Sequence, residues 1–336
     1  MDSLTHIVVG ASIGEAMLGK KIGKRAMLLG AIAQSIPDID FFAAAWCSPA
    51  DNLLAHRGFT HSILFVLMLA PCFAWMAERL HRPHNILFRR WLVFMLANLF
   101  LHIFMDAFNV YGVGWFEPFD HARISFNSLY VADPFFSIWP GIAFIALLII
   151  PAKKISRLKW ARLGMILPAL YLLWGFVNKL YIDKEVKELS ADKGIVSNRI
   201  FSTPSPMNIF LWYVAIETDS GYHVGYRSVF DKEKNFKEHY FEKNDFLLKP
   251  FEGSNDLRQL RRFSQGYYTA ERWHDTLVFN DLRFGQEIGW ARPEAHFVFH
   301  FYLNRPGENK LVMQRGRFSG WNREAMFALI RRIGGR

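Results

Sequence analysis

Seven side chains in the first third of the chain carry nitrogen or oxygen donors at spacings that could serve metal ions: His6, Asp38, Asp40, His56, His61, His102 and Asp106. His102 and Asp106 are four apart, which on a helix sets them on one face, one turn apart, within reach of one ion. His56 and His61 are five apart, a spacing that a continuous helix does not align. Gly58 between them predicts His56 in a loop and His61 in the first turn of a helix. Pro37 ends or bends the preceding helix, and an extended Asp38-Ile39-Asp40 would point both carboxylates the same way. No one of these pairs is specific. Their concentration at the ends of apolar runs is more telling, because histidine and aspartate are costly at the edge of a bilayer unless they serve a site.

Imidazole and carboxylate donors suit zinc, with manganese or iron as alternatives. Two ions about 4 Å apart would lower the pKa of a shared water and clamp both oxygens of a displacement at phosphorus. The seven donors are enough for two ions with open positions, or three if carboxylates bridge. Asp38, Asp40 and Asp106 are the carboxylates such a reaction would use, and Arg57 is placed to fork onto a phosphate. Ser3, Thr5, Thr60 and Ser62 are candidates to orient imidazoles. Blander roles stand beside these. His6 also fits a helix cap at the membrane interface, and Asp38 and Asp40 also fit a helix-end turn. Asp2, Glu117, Asp120, His121 and Asp133 fit loop or N-cap roles, and Glu15 lies toward the opposite end of its helix.

The elements that must position these residues read as a membrane bundle. Of 336 residues, 51% are hydrophobic and 16% aromatic, rich for a soluble enzyme, while the mean hydropathy is only +0.08. The apolar excess falls before residue 182 and charged, turn-rich sequence follows. Four segments, roughly 60–80, 91–108, 133–151 and 163–182, approach the ~20 residues that cross a bilayer. Two shorter apolar helices, 5–19 and 26–36, precede them, and Gly10, Gly14 and Gly19 would let these pack closely as a hairpin. The net charge of +10 comes from basic loops, Lys20 to Arg25, Arg79 to Arg90 and Lys153 to Arg162, the positive-inside pattern and not a nucleic-acid footprint. That places the donor cluster, and residues 183–336, outside the cytoplasm. Alternation in period two at 209–216, 222–230, 273–279 and 296–302, with a turn at Asp219-Ser-Gly221 and a helix near 321–332, predicts a small, mainly antiparallel β domain. Cys47 and Cys72 form no CxxC and read as unpaired. The fold expected is an α-helical integral membrane bundle (1–182) followed by an extracytoplasmic β domain (183–336).

Asp2-Ser-Leu-Thr-His6, Pro37-Asp-Ile-Asp40, His56-Arg-Gly-Phe-Thr-His-Ser62 and His102-Ile-Phe-Met-Asp106 resemble, in order and spacing, the YdjM-like membrane-bound metal-dependent hydrolases over residues 1–180. The part with Pro204-Ser-Pro206, Trp212 and Asp281-Leu-Arg-Phe-Gly285 looks like the extension of longer members. A looser similarity links the His/Asp pattern to zinc-dependent phospholipase C and the S1/P1-type nucleases, although no equivalent of their later His-xxx-Glu pair is present. The resemblance implies a metal site. The expected activity is hydrolysis of a phosphoester or related bond in a lipid or lipid-linked substrate at the outer leaflet of the bacterial inner membrane. A metal transporter, or a metal-binding sensor or scaffold, is the alternative. A transporter would carry ionisable residues along a path to the other face.

Overall fold

The computed structural model describes residues 2–309 and 320–335. Helix α1 (Ser3–Ile22) starts at Asp2, whose carboxylate accepts from the Thr5 amide at 2.9 Å, so the first acid of the chain caps a helix. Helix α2 (Arg25–Ser35) folds back on it after Gly23, whose φ of 59° suits glycine. The two helices touch backbone to backbone. A Cβ on Gly10 would lie 2.4 Å from the Gly30 carbonyl oxygen, and one on Gly14 would lie 2.0 Å from that of Ala26. Gly19, expected in the same seam, instead faces the Glu15 side chain.

Past Ile36 the chain bends by 53° into a 3-10 helix, Pro37–Ala45. The extended Asp38–Asp40 segment expected from the sequence is therefore corrected: Pro37 breaks the α-helical ladder, but the chain keeps coiling more tightly. A short α3 (Pro49–Ala55), a loop through His56 and a 3-10 turn at Phe59–His61 lead to α4 (Ile63–Leu80). Ser62 caps α4 by accepting from the Phe65 amide, so His61 lies just before the helix instead of in its first turn. Helices α5 (Phe88–Asp106), α6 (Pro134–Ile149) and α7 (Ser156–Asp192) follow.

Among the described residues three helices, α4, α5 and α7, are long and apolar enough to cross a bilayer, and α2 with its bent continuation would make a fourth candidate. At 16 residues α6 spans about 24 Å, short of the ~30 Å hydrocarbon core. Leu18, Ala33, Val66, Phe94 and Leu99 share one core, while Leu67, Ile145 and Leu170 are exposed, as apolar side chains facing lipid would be. Beside a separate buried cluster of Ala11, Met27, Leu147 and Ala161, the Arg157 guanidinium donates to both carboxylate oxygens of Glu15, at 2.8 and 2.6 Å, and to the Leu147 and Ile150 carbonyls.

The contacts divide the chain into two units, residues 1–43 with 55–174, and residues 44–54 with 175–336, so the division falls inside α7. Beyond Tyr181 the helix turns amphipathic, and Ile182, Val186 and Leu189 pack with Trp212, Val214 and Phe236. In the second unit β1 (Arg199–Pro204), β2 (Leu211–Glu217), β3 (Gly221–Ser228) and β4 (Glu238–Glu242) form an antiparallel sheet in that order. Strands β5 (Tyr268–Trp273), β6 (Thr276–Gln286) and β7 (Phe297–Tyr302) form another. The single strand expected at 273–279 is corrected to a hairpin: Trp273 pairs with Thr276, and His274 turns the chain with a φ of 55°. Helices α8 (Asn255–Phe263) and α9 (Arg323–Ile333) complete the unit, and the Asn255 and Gln259 side chains hold Asp51.

Candidate metal centre

His102 and Asp106 close the last turn of α5, His61 ends the turn before α4, and Asp38 opens the 3-10 helix after α2. One donor atom from each lies within 4.8 Å of every other. The Nε2 atoms of His61 and His102 are 3.1 Å apart. Asp38 Oδ1 is 3.7 and 3.5 Å from these two nitrogens, and Asp106 Oδ2 is 3.4 and 3.7 Å from them. His61, His102 and Asp106 are inaccessible to solvent, whereas Asp38 keeps 20% of its side-chain surface.

The far side of each imidazole shows why a cation fits here. His102 Nδ1 faces the Gln34 carbonyl oxygen, which can only accept, so the hydrogen sits on Nδ1. His61 Nδ1 faces Asp40 Oδ2 at 3.1 Å, and Thr60 Oγ1 at 3.1 Å, so its hydrogen is there too. With those hydrogens on Nδ1, both Nε2 atoms turn lone pairs toward each other and toward two carboxylate oxygens. Four acceptors around one point have no proton to share. A metal ion held there would supply the missing positive charge, and histidines tied back through their second nitrogen are the usual way of orienting such ligands.

The other three sequence-derived candidates sit around this centre. Asp40 does not face it: its Oδ1 meets His56 Nδ1 at 2.9 Å, and its Oδ2 accepts from the Arg57 amide and the Thr60 hydroxyl, both at 2.7 Å. Both of its oxygens are thus committed to orienting the His56–His61 segment. His56 lies beyond Asp40, one-third exposed. His6 stacks on His102 with ring centroids 3.9 Å apart, and its Nε2 is 3.2 Å from Asp106 Oδ1. His6 Nδ1 is buried without a hydrogen-bond partner among the described residues. Arg57 points inward: its Nε is 3.0 Å from Asp106 Oδ2, and Nη1 donates to Asn109 Oδ1 at 2.9 Å.

Of the expected orienting hydroxyls, Thr60 serves. Ser3 approaches Asp38 Oδ2 at 3.5 Å, Thr5 binds Asp2 and Ser137, and Ser62 caps α4. The loop after α5 contributes residues that spacing did not single out. The Arg123 guanidinium donates to the His56 carbonyl, the Gly114 amide donates to that of Arg57, and Asn109 accepts from Arg57. Asn109 had a signal, a lone amide three residues past Asp106. The Gln34 carbonyl had none, since backbone atoms leave no mark in a sequence.

A helical membrane protein with a buried His/Asp cluster compatible with metal binding is the class this geometry defines. The chain belongs to the YdjM inner membrane protein family, whose model matches residues 1–182 and so takes in the whole cluster. It is similar to the uncharacterized protein YfhP of Bacillus subtilis (strain 168), 29% identical over 248 residues, 67% of this chain and 68% of that one. It is also similar to the inner membrane protein YbcI of Escherichia coli (strain K12), 31% identical over 122 residues, 36% of this chain and 69% of that one. No solved structure matches the chain at a significant level.

Proposed function

We propose that the protein is a metal-dependent hydrolase of the inner membrane that cleaves a phosphoester or related bond in a lipid or lipid-linked substrate. One observation carries the reading: four acceptor atoms, from Asp38, His61, His102 and Asp106, converge on a point with the two imidazoles locked in the tautomer that ligates. Two nitrogens and two oxygens suit zinc first, and manganese or iron next. A divalent ion held there would supply Lewis acidity toward a water and toward an oxygen of the scissile group. Asp38, the one accessible member of the four, marks the side from which those groups would enter. His56, held through Nδ1 by Asp40 and partly exposed, is the group we assign to take up a proton, at Nε2.

The same reading sets the orientation. We take α4, α5, α6 and α7 as four spans, the bilayer thinning locally around the short α6, with α1 and α2 as a hairpin packed against them. With the basic loops at 20–25, 79–90 and 153–162 on the cytoplasmic side, the His/Asp ends of the helices lie at the outer leaflet. A lipid presents its polar linkage at that depth.

The test is hydrolysis of phospholipid and of generic phosphodiesters by detergent-solubilised protein, with and without chelator. Chelation should abolish turnover and zinc should restore it, while His61→Ala and Asp106→Ala should each stay inactive on reloading. If no metal-dependent hydrolysis occurs on lipid, phosphoester or amide substrates, and His61-dependent metal transport into proteoliposomes does, the protein is a transporter.

A further inference from the structure

Arg57 is held in a backbone conformation that its side chain disfavours. Its φ is 60°, in the left-handed region that side chains other than glycine seldom enter, although Gly58 is next to it with a φ of −85°. Two hydrogen bonds fix the strained residue: its amide donates to Asp40 Oδ2 at 2.7 Å, and its carbonyl accepts from the Gly114 amide at 2.9 Å. The result is a buried side chain, 4% exposed, with its guanidinium beside Asp106 and over the Tyr111 ring. Backbone strain of this kind costs about 1–3 kcal/mol and persists where the surroundings over-determine it.

The charges explain what such a placement achieves. Asp38, Asp40 and Asp106 gather three carboxylates around the centre, and Arg57 already sets one fixed cation against Asp106. A second divalent ion would have to share Asp106 with this buried guanidinium, and burial makes such unbalanced positive charge costly. The ligand geometry agrees. Asp106 is the carboxylate best placed to bridge two ions, yet its Oδ1 lies against His6 Nε2 and its Oδ2 against Arg57 Nε. Asp40, which a second ion would also need, already accepts from an amide, a hydroxyl and two imidazoles.

We propose that Arg57 stands where a second metal ion would sit, so that the centre is mononuclear with a built-in guanidinium as the other cation. This rests on the metal-binding reading above and replaces the two or three ions expected from counting donors. His6 and Asp40 then orient Asp106 and His61 and are not ligands of their own.

Elemental analysis of the full-length protein, saturated with zinc and freed of excess by gel filtration, reads the stoichiometry directly. One zinc per chain is expected. The cobalt(II)-loaded protein should show an isolated high-spin ion by electron paramagnetic resonance, with no coupling between paired ions. Arg57→His removes the fixed charge, offers a neutral donor and tolerates a positive φ better than most residues; it should raise the stoichiometry from one to two. Two zincs per wild-type chain, or a coupled cobalt pair, would overturn the proposal while leaving the hydrolase reading intact. A folded Arg57→His protein that still binds one zinc would overturn it as well. No zinc at all would sink both.

Discussion

Asp38 and Asp40 are two residues apart and do different work. A 3-10 helix turns successive residues by about 120°, so residues i and i+2 diverge where a strand would align them. Asp38 therefore reaches the imidazole Nε2 atoms, and Asp40 reaches the Nδ1 side of His61. Substituting each separates ligand from orienter. Asp40→Asn should keep the ion but weaken its binding about 10- to 100-fold, the usual cost of losing a carboxylate behind a ligating histidine. Asp38→Asn should weaken it further, because the ion loses an anionic ligand for a neutral amide oxygen. Competition against a chelating dye measures both, and equal losses would place Asp40 among the ligands. At this scale the residue types were legible, because a histidine or aspartate within apolar sequence calls for a partner. Their division into ligands and supports was not, since it depends on which ring nitrogen faces which oxygen, as at Gln34 and His102.

The helices and the turns between them were legible to different depths. Apolar runs announced α4 and α5 within a few residues, and Gly10 and Gly14 announced the tight α1–α2 hairpin. The sequence did not announce the end of α7, because helix and apolar run are different properties: the run stops near Tyr181 and the helix continues to Asp192 on an amphipathic stripe. Glu15 taught a similar lesson. It faces away from the site because it belongs to a different one, the ion pair with Arg157 that ties α1 to α7. Removing one partner leaves the other charged and buried. Glu15→Ala should therefore destabilise the bundle by about 3–5 kcal/mol, measured by unfolding in mixed micelles. Replacing Glu15 and Arg157 together with apolar residues should cost less than Glu15→Ala alone. A single substitution that costs under ~1 kcal/mol would show that water or lipid headgroups reach the pair.

For the whole molecule, the change in hydropathy near residue 182 separates an apolar helical part from a part made of antiparallel sheets, and both are present. Orientation is a separate matter that rests on the basic loops. A reporter fused after residue 336 should register as extracytoplasmic and one inserted in the 152–162 loop as cytoplasmic; the reverse pattern would put the His/Asp cluster on the inner face and remove the outer leaflet as the source of substrate. The metal itself is the claim on which the rest depends. Diffraction from crystals of the zinc-loaded protein, collected on either side of the zinc absorption edge, locates it without reference to activity. A single anomalous peak should lie between Asp38, His61, His102 and Asp106, within about 2.0–2.2 Å of the two Nε2 atoms once the side chains close on it. An anomalous map with no peak there, or with zinc only at surface histidines such as His121, would contradict the metal centre.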